Sequence, residues 1–377
     1  MAALHAAGSA SKNGRMGQAR TFARAAALAV ALAAPALGAQ TYTVTELVTL
    51  EQGHTPVVRG ANSAGVAVGG GKVAPGQERV GRRGLLIQPA GGAQTVAGLP
   101  NSDDTVVFGI NDAGVFVGSS NAVTGVRAFR GNGGAVRDLP MVGGDTSSMA
   151  LGINNLGHAI GFSSGASGQR AVAWSPEGAV RVLPVRAGMT STRATAINVR
   201  GDIVGIANTS SGRKPVIWHA GTQPATELTL LPGHQIGEAL AINSRGDAVG
   251  YTADRSALPR AALWTSTGAV LDLGSFAARG FSRALDINDA GTVVGAAGVD
   301  HGSRAFVWTR TGGMQDLNAL VAPGNFVLTQ AVGINNVGDI IATGHDQVPH
   351  GQPGHTHAEA HDLPVRVFLL RRAGEQR

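Results

Sequence analysis

The chain has 377 residues, 56 of them glycine, with only 14% charged and 4% aromatic side chains against 43% hydrophobic ones. There is no cysteine, which excludes a disulfide framework and any thiolate metal site. Of the formal charge of +6, most sits in residues 1–40, which hold four of the 30 basic side chains and none of the 24 acidic ones; the remaining 26 against 24 leave no support for a general nucleic-acid or anionic-membrane binder.

Lys12, Arg15, Arg20 and Arg24 precede the apolar run "AAALAVALAAPAL" (25–37), and "GAQ" (38–40) follows. A basic stretch, a short apolar stretch and small exit residues describe a secretory signal peptide. The run of 13 residues is shorter than the ~20 that a spanning helix needs. Residues 1–39 are therefore expected to be a signal peptide, cleaved after Ala39, with Met16 as an alternative start because 16–39 alone makes a complete signal. The competing reading is a buried or anchoring helix. After cleavage no membrane span is expected, and the protein is expected in the periplasm or secreted.

Beyond residue 40 one motif returns seven times. An Asn recurs at Asn62, Asn111, Asn154, Asn198, Asn243, Asn288 and Asn335, at spacings of 49, 43, 44, 45, 45 and 47. Three residues after each comes a glycine: Gly65, Gly114, Gly157, Gly201, Gly246, Gly291 and Gly338. Asn-x-x-Gly predicts a type I turn in which the Asn side chain bonds the backbone two residues on and the Gly takes the left-handed conformation that closes a hairpin. These residues are read as structural turns. Calcium loops need several oxygen ligands, and Val199 follows Asn198 directly, so calcium is not expected there.

The strand before the turn has small residues four and two positions ahead of the Asn, such as Ala150 and Gly152, and larger ones between them, such as Leu151 and Ile153. Strict alternation would put the small pair on one face. A short Val/Ile-rich strand follows the turn and is read as ending at a second glycine, seven residues after the Asn in six copies, with Ala342 in the seventh. A third strand reads "RAVAW" (170–174), "KPVIW" (214–218), "RAALW" (260–264) and "RAFVW" (304–308), which places all four tryptophans at one repeat position. A fourth reads "AVRDL" (135–139) or "AVLDL" (269–273).

Four antiparallel strands in about 45 residues, repeated in this way, predict an all-β chain folded as a seven-bladed β-propeller with four-stranded blades. Residues 40–372 form one domain on this reading, with 373–377 as a tail. After Asn335 the chain supplies three strands, and the fourth is present at the start as "YTVTELVTL" (42–50). The ring is thus expected to close by pairing that N-terminal strand into the last blade, which removes open sheet edges. An open β-solenoid is the rival.

"GINDAG", "AINVRGDIVG", "DINDAGTVVG" and the interleaved "RAFVW" segments resemble the HAF repeat family of bacterial extracellular proteins, over nearly all of 42–370. The resemblance implies export and a propeller-like repeat, and it brings no established catalytic residues. No Trp-Asp pair ends a unit and no Gly-Gly pair recurs in register, so the units resemble neither WD nor kelch repeats.

Candidate sites lie where chemistry-bearing residues collect. The third strand opens on a cation in every copy, including Arg127, Arg170, Arg260 and Arg304; seven cations could hold an anion, or their stems could pack while their heads pair with acids. The long connection 344–362 in the last blade is a His-rich insertion with His345, His350, His355, His357 and His361, five of the 11 histidines. No cofactor is expected, although zinc, copper or nickel could occupy such a cluster if the loop folded around it. His54, His234 and His301 lie in or next to loops of the same face as the strand-entry connections, and they complete the ligand-face candidates. The function expected is that of an exported, monomeric, non-enzymatic binding or scaffold protein for an extracellular ligand or protein. The alternative is a propeller lyase or hydrolase acting on an extracellular polymer, with or without metal assistance.

Overall fold

A computed structural model describes residues 42–51, 56–72, 81–123, 125–133, 135–221, 223–254, 258–277, 280–300, 302–347 and 363–374. The chain divides into two units, Met1–Ala39 and Gln40–Arg377, and the described residues belong to the second. They form seven four-stranded antiparallel sheets arranged as a β-propeller, with one short 3-10 helix at Leu317–Ala319. Blades are numbered 1 to 7 by the turns at Asn62 to Asn335.

Blade 3 shows why the repeat folds as it does. Its strands are Asp145–Ile153, Ala159–Gly165, Gly168–Trp174 and Val180–Val182. At the first hairpin Asn154 N–H donates to the His158 carbonyl at 3.0 Å, and Gly157 N–H donates to the Asn154 carbonyl at 2.9 Å. Gly157 has φ +80°, the left-handed value that a side chain would resist. This is a type I turn followed by a glycine bulge, as the spacing predicts.

The Asn side chain does more than the turn needs. Its Oδ1 accepts the backbone N–H four residues on in all seven copies, for example His158 N–H at 2.9 Å, and the N–H two residues on only at Asn154 and Asn243. Its Nδ2 donates to the backbone carbonyl of the corresponding Asn in the next blade. Asn62 reaches Asn111 at 3.3 Å, Asn111 reaches Asn154 at 3.1 Å and Asn154 reaches Asn198 at 3.0 Å. Asn198 reaches Asn243 at 3.0 Å, Asn243 reaches Asn288 and Asn288 reaches Asn335 at 3.2 Å, and Asn335 returns to Asn62 at 3.3 Å. Each of these asparagines is buried, so each amide spends donors and acceptor where an unpaired group would cost about 1–3 kcal/mol. The result is a closed belt of seven side-chain hydrogen bonds, which an open solenoid cannot make.

The second recurring glycine does not end its strand. Gly118 lies inside Phe116–Ala122, opposite a bulge in the first strand between Val107 and Gly109. A methyl group on it would sit 2.1 Å from the Val106 carbonyl oxygen, and the carbonyl at the corresponding position crowds Gly161, Gly205, Gly250 and Gly295 in their blades. Blade 7 has Ala342 at this repeat position, and there Gly344, two residues on, meets the Val327 carbonyl beside a second register shift between Leu328 and Gln330.

The bulge also overturns the strict alternation expected for the first strand. Ala150, four before the Asn, packs with Val117 and Ala128 of the preceding blade. Gly152, two before it, faces the following blade, where a methyl would lie 3.5 Å from the Thr195 carbonyl oxygen. One extra residue has turned the small pair to opposite sides.

Neighbouring blades are further joined at the third strand. Trp174, Trp218 and Trp264 donate from the indole nitrogen to the carbonyls of Pro140, Pro184 and Thr229, each on the chain leaving the preceding blade. Hydroxyls of Ser148, Thr192 and Ser282 accept the N–H of Ala128, Ala171 and Ala261 on the preceding third strand. Blade 2 has Gly131 in place of the tryptophan, and the Phe116 ring fills that space.

Closure is as the sequence predicts. Tyr42–Leu50 pairs antiparallel with Val365–Arg372 and becomes the fourth strand of blade 7, whose others are Phe326–Ile334 and Ile340–Asp346. Tyr42, Leu47 and Leu50 are buried there, and Arg366 Nη2 pairs with Glu46 Oε2 at 2.5 Å.

Candidate functional site

The belt lies on the face that carries the Asn turns. The other end of each first strand leads to the opposite face, with the strand-entry connections and the hairpins between second and third strands. Residues five before each Asn occupy that end: Val57, Val106, Met149, Arg193, Glu238, Arg283 and Gln330. Four are uncharged; blades 4, 5 and 6 supply Arg, Glu and Arg in succession.

These three meet further charged groups around the central channel. The Glu238 side chain is buried and accepts Arg213 Nη1 at 2.6 Å, while Arg193 Nη2 stands 3.8 Å from its other oxygen. Tyr251, on the neighbouring strand, hydrogen-bonds to the same carboxylate. Burial, and then the Glu238 charge and hydrogen bond, push its phenol up to about 12. The Arg283 guanidinium lies 4.9 Å over the Tyr251 ring. From blade 1, Arg59 extends towards the same space, with its guanidinium 5.8 Å from the Phe108 ring of blade 2. Burial and then the nearby Arg193 charge lower the Arg59 pKa. Blades 1 and 4 are not neighbours, so that repulsion acts across the channel. Four guanidinium groups thus collect at this opening against one carboxylate, Glu238, which two of them, Arg213 and Arg193, contact.

Deeper, two residues before each Asn, the lining is small: Gly60, Gly109, Gly152, Ala196, Ala241 and Gly333, with Asp286 breaking the pattern. The backbones approach closely here, since a methyl on Gly333 would lie 2.4 Å from Gly60 Cα. Asp286 Oδ2 accepts Ile334 N–H from blade 7 at 2.9 Å, and a methyl on Gly60 of blade 1 would be only 3.7 Å from that oxygen. Burial pushes the Asp286 carboxyl up to about 6, and the N–H groups of Ile334 and Ile287 only partly offset it.

The expected ring of third-strand cations is not brought together into one site. Arg127 pairs with Asp138, Arg170 with Asp145 at 2.6 Å, Arg260 with Asp272 at 3.1 Å and Lys214 donates to the Gln235 carbonyl at 2.7 Å. Arg304 has no carboxylate partner among the described residues; Asp316, opposite its strand, caps the 3-10 helix instead. His234 Nδ1 sits 2.6 Å from Thr252 Oγ1, away from any cluster of ligands. His345 is the last but one residue of the second strand of blade 7, with Nδ1 2.8 Å from the Asp346 carbonyl oxygen. His54, His301, His350, His355, His357 and His361 lie outside the described residues. No group of three or more His, Asp or Glu side chains placed to hold a metal occurs among the described residues.

A groove of about 400 Å³ also opens between blades 3 and 4 on the Asn-turn face, lined by Trp174, Ile197 and the exposed Leu156 and Val199. The charged groups converge elsewhere, in the channel.

Fold and channel define a closed seven-bladed propeller with a polar opening on one face. No protein-family model matches the chain, and no curated protein matches it. Among solved structures it is similar to a puromycin hydrolase, at 14% identity and TM-score 0.58 over 78% of this chain; the chain spans 51% of that protein. It is similar also to the β-propeller domain of the Trilobed protease from Pyrococcus furiosus, which has an open velcro topology (9% identity, TM-score 0.54, 85% of this chain and 94% of that one). A third likeness is to virginiamycin B lyase from Staphylococcus aureus, at 10% identity and TM-score 0.53, covering 87% of this chain and 99% of that one. At these identities the likeness is one of fold.

No helix among the described residues is long and apolar enough to cross a membrane.

Proposed function

We propose that the chain is an exported binding or scaffold protein of the HAF-repeat kind, without catalytic activity, whose ligand enters the channel from the face opposite the Asn turns. One observation carries this reading: the charged groups that break the repeat symmetry converge at that opening. Sites that recognise a ligand need such asymmetry, whereas residues present in every blade serve the blade. The chemistry of the cluster suits holding rather than turnover. Glu238 is engaged by Arg213, Arg193 and Tyr251, and the phenol keeps its proton at neutral pH. Neither group is free to accept a substrate proton, which the lyase or hydrolase alternative requires.

The test is to express the full chain with a C-terminal tag in a Gram-negative host and read the N-terminus of the product in the periplasm and medium. Processing after Ala39 and export are expected. The purified product is then used to capture material from culture medium and on a glycan array, and the captured ligand is weighed before and after prolonged incubation. Retention in the cytoplasm with residues 1–39 intact would overturn the export, and conversion of the ligand to a product would overturn the non-enzymatic reading.

A further inference from the structure

Around the channel opening the charges do not balance. Arg193 and Arg213 share Glu238, and the contact of Arg193 is long, 3.8 Å. The Nε atoms of both are buried without a hydrogen-bond partner. Arg59 and Arg283 have aromatic rings beneath them and no carboxylate partner among the described residues. The next acid inward, Asp286, is turned to the backbone N–H groups of Ile334 and Ile287. Arg59 and Arg193 stand on the first strands of blades 1 and 4; the seven first strands touch one another in a ring, so these two non-adjacent ones face each other only through the channel.

Collecting like charges around one opening is unfavourable unless an anion joins them. Guanidinium groups present fixed pairs of N–H donors that match the paired oxygens of carboxylate and phosphate. The aromatic ring under each of Arg59 and Arg283 holds its guanidinium plane without using its N–H donors.

We infer that the channel opening receives an oxyanion group of the ligand, a carboxylate or a phosphate, between the guanidinium groups of Arg59 and Arg193. This rests on the channel being the ligand site. Arg59 and Arg193 clasp the oxyanion from opposite walls. Arg283 on its ring adds positive potential at the rim, and Glu238 fixes Arg193 and Arg213 in place. A ligand without that group gains nothing from Arg59.

The experiment is calorimetric titration of the processed protein with inorganic phosphate, with trigalacturonate and with the uncharged maltotriose. Saturable binding of phosphate or trigalacturonate is expected, weakened by added salt, and the stronger of the two tells which source of oxyanion the site prefers. Arg59→Gln should weaken that binding by about tenfold or more, and the exposed Arg310→Gln on the Asn-turn face should leave it unchanged. Arg59 makes no side-chain hydrogen bond to lose among the described residues, and its removal relieves repulsion, so the unfolding midpoint of Arg59→Gln should not fall below that of the parent, which rules out misfolding. Equal affinity of parent and Arg59→Gln, binding of maltotriose as tight as that of the anions, or no binding of either anion would each overturn the inference. A captured uncharged ligand whose binding falls on Arg283→Gln would remove the oxyanion and keep the channel as the site. A captured ligand indifferent to substitutions at Arg59, Arg193 and Arg283 would remove the channel itself.

Discussion

Asn335 donates from Nδ2 to the carbonyl of Asn62 over 3.3 Å, although 273 residues separate them in the chain. The bond completes the belt and joins the last blade to the first. A residue whose local job is one turn therefore also has a ring-wide job.

The two jobs can be separated. Asn335→Asp keeps the Oδ1 acceptor and the turn preference but loses the donor. Asn335→Ala loses both. If the blade-to-blade bond matters, Asp fails to rescue, and both variants lose about 1–3 kcal/mol in urea unfolding. Full stability of the Asp variant would show that the turn alone is served.

At the closure, burial outweighs charge. Leu50 is fully buried in the strand that completes blade 7, and Leu50→Ala should cost about 2–5 kcal/mol. The Glu46–Arg366 pair is partly exposed, so Glu46→Gln should cost about 0–1 kcal/mol. The Arg366 hydrogen bond lowers the Glu46 pKa, so its small contribution is present above the ordinary carboxylate range and fades as pH falls. Chemical denaturation of both variants checks the order; an equal loss would contradict it.

Gly205→Ala should be among the most damaging single methyl additions in the chain. The new carbon would sit 2.0 Å from the Arg193 carbonyl oxygen, within the backbone that carries a channel arginine. A loss of about 1–3 kcal/mol or more is expected. Gly188→Ala, which meets nothing within 4 Å but has φ +89°, measures the cost of conformation alone and should be smaller. Thermal unfolding compares them.

Asp286 should make stability fall as pH rises. Its folded pKa of about 6 lies above the ordinary 3.8, so the folded chain holds the proton more tightly than the unfolded one. Its contribution is fully present below about pH 4 and is lost as pH rises through about 6, by up to about 3 kcal/mol. Asp286→Asn should flatten the unfolding free energy between those limits. An unchanged slope would mean that channel water solvates the carboxylate.

The blades were legible in the sequence because their determinants are local. Asn154 and Gly157 sit three residues apart and set the same turn wherever they occur. The three strands of the last copy and the spare one at Tyr42 pointed to each other by pattern. The channel cluster was hidden for the opposite reason. Arg59, Arg193, Glu238 and Arg283 come from four blades, and each looks like an ordinary strand residue in its own copy. Comparing the seven copies column by column, five and three residues before the Asn, would have exposed them. Asp286 was harder still, because the bulge after Ala284 reverses the alternation, so period two assigns it to the wrong side.

Glu46 and Arg366 stand 320 residues apart, yet their strands are neighbours. During synthesis the strand Tyr42–Leu50 is therefore made first and paired last. Blades 1 to 6 can each assemble from contiguous chain, but the seventh waits until its distant partner has emerged. Until then the growing polypeptide carries an unmatched ribbon at one end and an unfinished sheet at the other. Long-range pairing of this kind folds slowly, and it gives the chain an interval in which it is made but not yet locked.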